Sequence, residues 1–89
     1  MYKIVYTRRF LRDVKKHSTS GIQFKEKLID VIEILGSKKV FPEKYKDHKL
    51  NGVWEGYREC HILFDLLLVY KYDDTCVELI TLDTHKNLF

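Results

Sequence analysis

The order of elements in this sequence predicts an α+β protein, β-α-α-β-β-β, with two N-terminal helices packed on a mainly antiparallel sheet. Three observations carry that expectation. A short alternating stretch opens the chain, two helical repeats follow between Arg8 and Gly36, and three β-rich runs separated by turn signals fill residues 54–82. With 89 residues, 45% of them hydrophobic and 33% charged, the chain supports one compact domain over residues 1–89 and has no length for a second core.

Residues 2–6 alternate aromatic and β-branched side chains, which suits a strand, and Thr7 follows as a hydroxyl able to cap a helix starting at Arg8. In that helix Phe10, Leu11 and Val14 form one apolar face. Arg8, Arg9, Arg12, Lys15 and Lys16 crowd the rest and give a basic exterior able to meet an acidic partner or ribosomal RNA. Ser20 and Gln23 fit a capping box for a second, longer helix. Leu28, Val31 or Ile32, and Leu35 then repeat at helical spacing until Gly36 offers a stop.

From Ser37 to Asn51 periodicity lapses. Pro42 breaks the chain, and Lys38, Lys39, Lys44, Lys46 and Lys49 make this an ordered basic loop. Strands are expected over 54–63, 66–72 and 76–82, with turns at Phe64-Asp65 and Asp73-Asp74. The middle run is almost wholly apolar, as in a central strand covered on both faces. Trp54 and Tyr57 read as sheet core or edge residues. Phe89, at the end of the sequence, has no core partner in the pattern and can stack on a nucleotide base.

The net charge of +3 permits an anionic partner without requiring one. The opening residues lack the apolar core of a signal peptide, and no apolar run approaches a membrane span, so the expectation is a cytoplasmic protein with no membrane partner. Cys60 and Cys76 show no metal-ligand spacing and are expected as reduced thiols filling core space.

Three of the 4 histidines, His48, His61 and His85, fall at element ends. Cleaving RNA through its own 2′-hydroxyl needs a base for that proton, an acid for the leaving 5′-oxygen, and positive charge for the phosphorane. Imidazole can perform both proton transfers near neutral pH without a metal. Asp65 lies four residues after His61 across a turn, where a carboxylate can hold an imidazole's tautomer. Arg58, Lys46 and Lys49 can hold phosphate. No two of the histidines have the i, i+4 spacing of a zinc helix, so no metal or other cofactor is expected.

The stretch Tyr45-Lys46-Asp47-His48-Lys49-Leu50, then Gly52, Trp54, Gly56-Tyr57-Arg58-Glu59-Cys60-His61, Asp65-Leu66-Leu67-Leu68-Val69-Tyr70 and Thr84-His85-Lys86-Asn87-Leu88-Phe89 resembles the YafQ-type toxins of the RelE superfamily. The resemblance implies a RelE-like fold and a toxin of a type II toxin–antitoxin system that cuts mRNA in the ribosomal A site. It also implies as partners a cognate antitoxin, the ribosome and mRNA, with DNA reached only through the antitoxin complex. The family's catalytic histidines fall on His48, His61 and His85, its carboxylate on Asp65 and its terminal aromatic on Phe89. In the arrangement expected, His48 and His85 flank the scissile phosphate while Asp65 and His61 assist. Two positions depart from the pattern. An arginine usual in the family is Thr81 here, and a glycine is Asp83, which places a negative charge beside a polyanion. Those departures keep open a catalytically weakened relative that acts as an antitoxin-binding co-repressor, and the shared fold keeps open a gyrase inhibitor of the ParE type.

Overall fold

The computed structural model describes residues 2–37 and 39–89; Lys38 of the basic loop lies outside them. Strand β1 (Lys3–Tyr6) leads into helix α1 (Arg8–Lys16) and helix α2 (Ile22–Ser37). A two-residue strand β2 (His48–Lys49) precedes the meander β3 (Arg58–Leu63), β4 (Leu66–Tyr72) and β5 (Cys76–Asp83), and a single helical turn, α3 (His85–Leu88), follows. The sheet has the order β1-β5-β4-β3-β2, parallel between β1 and β5 and antiparallel elsewhere. As the apolar run of residues 66–72 predicts, β4 is central, and its first five residues are buried.

Alternation along the strands divides the protein into two faces. On one face Cys60, Ile62, Leu68, Tyr70, Val77 and Leu79 meet Phe10 of α1 and Phe24, Leu28, Val31 and Leu35 of α2 to form the main core. On the other, Leu67 and Val69 meet Leu88 of α3, with Leu50, Trp54, Tyr57 and Ile80 packed around them. No helix of this structure is long and apolar enough to cross a membrane, among the described residues.

Thr7 caps α1, its hydroxyl oxygen accepting from Phe10 N at 3.2 Å. The face of α1 differs from the expected one. Leu11 is 53% exposed, and the buried neighbour of Phe10 is Asp13, whose carboxylate accepts from the Thr81 hydroxyl at 2.6 Å and from Leu82 N at 3.1 Å. Two strong bonds to β5 compensate the burial of that carboxylate, which a hydrophobicity pattern cannot register. Helix α2 starts at Ile22, directly after Gly21 at φ +94°, so Ser20 does not occupy the cap position of the expected capping box. It also runs through Gly36 to Ser37, whose hydroxyl donates back to Glu33 O at 2.8 Å.

The basic loop contains a 3-10 turn, Glu43–Tyr45, closed by Lys46 in the left-handed region at φ 50°. Trp54 and Tyr57 precede the strand rather than opening it: Gly52–Trp54 is another 3-10 turn, and β3 begins at Arg58. Cys60 is a free thiol in the core, its pKa pushed well up by burial, whereas Cys76 is only partly buried.

Candidate active site on the open face of the sheet

Antiparallel pairing decides which candidate side chains can meet. His48 of β2 stands opposite Glu59 of β3, and His61 stands opposite Leu67 of β4. Since Leu67 belongs to the open-face cluster, His48, Glu59 and His61 share that face, away from α1 and α2. The two imidazole rings lie 6.4 Å apart, centroid to centroid.

Both ring nitrogens of His48 are engaged. Nδ1 donates to Lys46 O at 2.7 Å, a carbonyl aimed by the left-handed turn at Lys46, and Nε2 lies 3.0 Å from Glu59 Oε1. A carbonyl and an ionised carboxylate only accept, so the ring makes both bonds when each nitrogen carries hydrogen. Glu59 is 4% exposed, and its second oxygen, Oε2, has no hydrogen-bond partner among the described residues.

A solvent-open hollow of about 590 Å³ gathers His61, Asp65 and His85 with Lys46 and brings in Lys27 of α2 and Lys44 of the 3-10 turn. His85 reaches it as the first residue of α3, which Thr84 caps by accepting from Asn87 N. The Asp65 carboxylate accepts from the backbone N of His85 at 3.2 Å. It thus braces the turn that carries His85, and no hydrogen bond joins it to an imidazole ring among the described residues. The His85 ring lies 5.1 Å from Phe89, and Phe89 lies 6.1 Å from Trp54. Phe89 therefore has aromatic neighbours on the open face while remaining 49% exposed.

Arg58 and Lys49 are placed elsewhere. Arg58 lies three positions before His61, an odd step, so alternation turns Arg58 to the helix-covered face, opposite Tyr70. There its guanidinium bonds Asp47 at 2.7 Å, Tyr70 donates its hydroxyl to the same carboxylate, and the bond to Asp47 raises the pKa of Arg58. Arg58, Lys49, Tyr57 and Tyr72 line a separate hollow of about 480 Å³. Glu59, absent from the expected set, was readable by the same alternation: it lies two residues from His61 and on its face.

The two departures from the family pattern acquire roles as well. Thr81 is 1% exposed and holds Asp13. Asp83 accepts from Asn87 Nδ2 at 3.0 Å and from Thr84 N at 2.8 Å, and it lies 3.5 Å from both Lys16 Nζ and His17 Nε2. Burial opposes its ionisation, yet those hydrogen bonds and cations outweigh it and lower its pKa. Its charge is compensated within the fold, between the end of α1 and the turn bearing His85. Among the described residues, no three His, Cys, Asp or Glu side chains are grouped to hold a metal ion.

Comparison with known proteins adds to this geometry. The family model described as bacterial toxin of type II toxin–antitoxin system, YafQ, matches residues 2–89. The mRNA interferase toxin YafQ of Escherichia coli K12 is 30% identical over 86 residues, 97% of this chain and 94% of its own. Among solved structures, the copper-bound L66S mutant toxin from Helicobacter pylori is similar with a TM-score of 0.92 and 35% identity, covering 100% of both chains. A chain of the E. coli DinJ–YafQ complex is similar with a TM-score of 0.86 and 32% identity, covering 100% of this chain and 99% of that one.

Proposed function

Because the chain belongs to the YafQ family of bacterial type II toxin–antitoxin toxins, we propose that it is an mRNA interferase, a ribosome-dependent endoribonuclease acting in the cytoplasm by metal-free histidine chemistry. The observation that carries this reading is the convergence of His61, Asp65, His85 and Lys46 on one solvent-open hollow, with His48 6.4 Å from His61 on the same face. Such a patch is able to receive a single phosphodiester.

In the proposed step the mRNA 2′-oxygen attacks the adjacent phosphorus while a base removes its proton. The bond from phosphorus to the 5′-oxygen breaks, and an acid protonates that leaving oxygen, giving a 2′,3′-cyclic phosphate and a 5′-hydroxyl end. His85 suits the base, since its exposed ring takes part in no hydrogen bond among the described residues. His48 is assigned the acid: the Lys46 carbonyl holds Nδ1, and the proton on Nε2, beside Glu59, is the one passed to the 5′-oxygen. His61 and Lys46 supply positive charge or hydrogen bonds to the phosphorane, and Asp65 positions His85 through its backbone. Phe89 offers a partly exposed ring beside His85 for stacking on a base.

The solved E. coli relative is a complex with DinJ, and a corresponding antitoxin partner is proposed here. Helix α1 offers a docking surface, with Arg8, Arg12 and Lys15 exposed around Leu11. An amphipathic segment with acidic flanks complements that surface.

In vitro translation with and without the protein, followed by primer extension on the mRNA and with free mRNA as control, tests the reading. Discrete cuts on translated mRNA that His85→Ala abolishes are expected. Cuts at wild-type rate from His85→Ala would overturn the site, and blocked translation without any cut, or DNA damage with translation intact, would overturn the activity.

A further inference from the structure

The hollow carries more positive charge than the proton transfers use. Lys27 comes from α2 and Lys44 from the 3-10 turn, so two separate elements bring lysines to the wall of the space that holds His61 and His85. Neither forms an ion pair with a carboxylate among the described residues; Lys44 Nζ rests 5.1 Å from the centre of the Tyr45 ring. Among the described residues the only carboxylate lining the hollow is Asp65, which already accepts the amide of His85. Arg58, the guanidinium nearest in sequence to His61, is committed to Asp47. Among the described residues, Lys27, Lys44 and Lys46 are the lysines lining the hollow that are left to meet an anion.

Phe64 lines the same hollow at the turn between β3 and β4 and is 98% exposed. Such a tight turn usually takes small or polar residues, so a bare phenyl ring beside unpaired ammoniums is not explained by turn formation. Basic grooves edged by aromatic rings are how proteins hold single-stranded nucleic acid: ammonium groups take the backbone, and rings stack on bases.

Resting on the endoribonuclease reading, we infer that Lys27, Lys44 and Phe64 form a subsite for a nucleotide of single-stranded RNA adjoining the cleaved linkage, the ammoniums binding its phosphate and Phe64 stacking on its base. The subsite lets residues outside the acid–base set fix the register of the RNA over His85. It also supplies positive charge at a site where Thr81 is turned to Asp13.

The test is fluorescence anisotropy of the purified protein with a fluorescein-labelled hexaribonucleotide, 2′-O-methylated so that it cannot be cut, titrated at several salt concentrations. Lys27→Gln with Lys44→Gln is expected to weaken binding about tenfold at low salt and to flatten the plot of log affinity against log salt by about 0.7 to 1.4. Phe64→Ala is expected to weaken binding at least about fivefold with the salt slope unchanged, and Phe64→Trp to retain it. Circular dichroism melts of each variant confirm that the fold is kept, as expected for side chains at the surface. Wild-type affinity and slope in the lysine variant would overturn the phosphate assignment, and unchanged affinity in Phe64→Ala would overturn the stacking. The two proposals fail separately. Cutting with no effect of these substitutions removes the subsite alone, whereas substitution-sensitive binding without any cutting removes the nuclease reading and leaves a nucleotide site.

Discussion

The two faces of the sheet share their strands but divide the work. The face under α1 and α2 is sealed by Phe10, Phe24, Val31, Leu35, Leu68, Tyr70 and Leu79, all 2% exposed or less. The open face has only a thin apolar strip, Leu67 and Val69 under Leu88, and around it stand His48, Glu59, His61, His85 and Phe89. Successive residues of one strand therefore serve different ends: Cys60 and Ile62 hold the fold, while Glu59 and His61 between and beside them turn to the open face. Stability can be concentrated on one side so that imidazoles on the other remain accessible.

That division breaks most visibly if substitutions on the open face unfold the protein or those on the covered face spare it. His85→Ala should lower the rate of mRNA cleavage at least about 100-fold, the usual scale of losing a general base. Its unfolding free energy in urea should stay within about 0.5 kcal/mol of wild type, because His85 is exposed. Leu68→Ala should do the reverse. Leu68 is fully buried in the main core, and truncating it should cost roughly 2–5 kcal/mol of unfolding free energy, while the protein that remains folded keeps its cleavage rate. Loss of cleavage in folded Leu68→Ala would show that the faces are coupled rather than separate.

Glu59→Gln probes the border between them, since Glu59 is buried but reaches His48 at 3.0 Å. The neutral amide preserves shape and removes the carboxylate that meets Nε2 of His48. A roughly tenfold slower cleavage step, about 1.4 kcal/mol of transition-state stabilisation, is expected in single-turnover assays. An unaltered rate would remove His48 from the role of acid.

Much of this was legible from residue order, and the shortfalls share a cause. The strands and the two long helices follow from side-chain periodicity, which reports burial directly. The candidate site residues were named from their resemblance to the YafQ-type toxins, and His61, Asp65 and His85 line one hollow. The direction of individual side chains was harder. Arg58 reads as a phosphate ligand from charge alone, but its place in β3 turns it toward Asp47. Asp13 reads as surface, but β5 offers it a hydroxyl and an amide. Lys27 has no feature in the sequence that links it to residues some forty positions later, because only the packing of α2 beside β3 brings it to the hollow. Long-range placement of polar groups is the information that local periodicity omits.

The smallest expected effect concerns the covered side of the same region. Tyr45 is buried, and its hydroxyl donates to Asp30 Oδ2 at 2.5 Å. Burial first, and then that bond and the nearby carboxylate charge, push its pKa up from 10.0 to about 12. A phenol whose pKa is raised on folding stabilises the native state fully below its unfolded value, and this contribution disappears as pH rises through the folded value. The loss should therefore fall between pH 10 and 12, as tyrosinate forms in the unfolded chain before it forms in the folded one. Tyr45→Phe has no proton to lose and should destabilise the protein by only about 1 kcal/mol at pH 8, from the missing hydrogen bond. Its unfolding midpoint should then fall less steeply than that of wild type as pH is raised from 10 toward 12. Parallel curves for the two proteins would mean that Tyr45 titrates as it does in the unfolded chain, and that the floor of the hollow at Tyr45 is open to water.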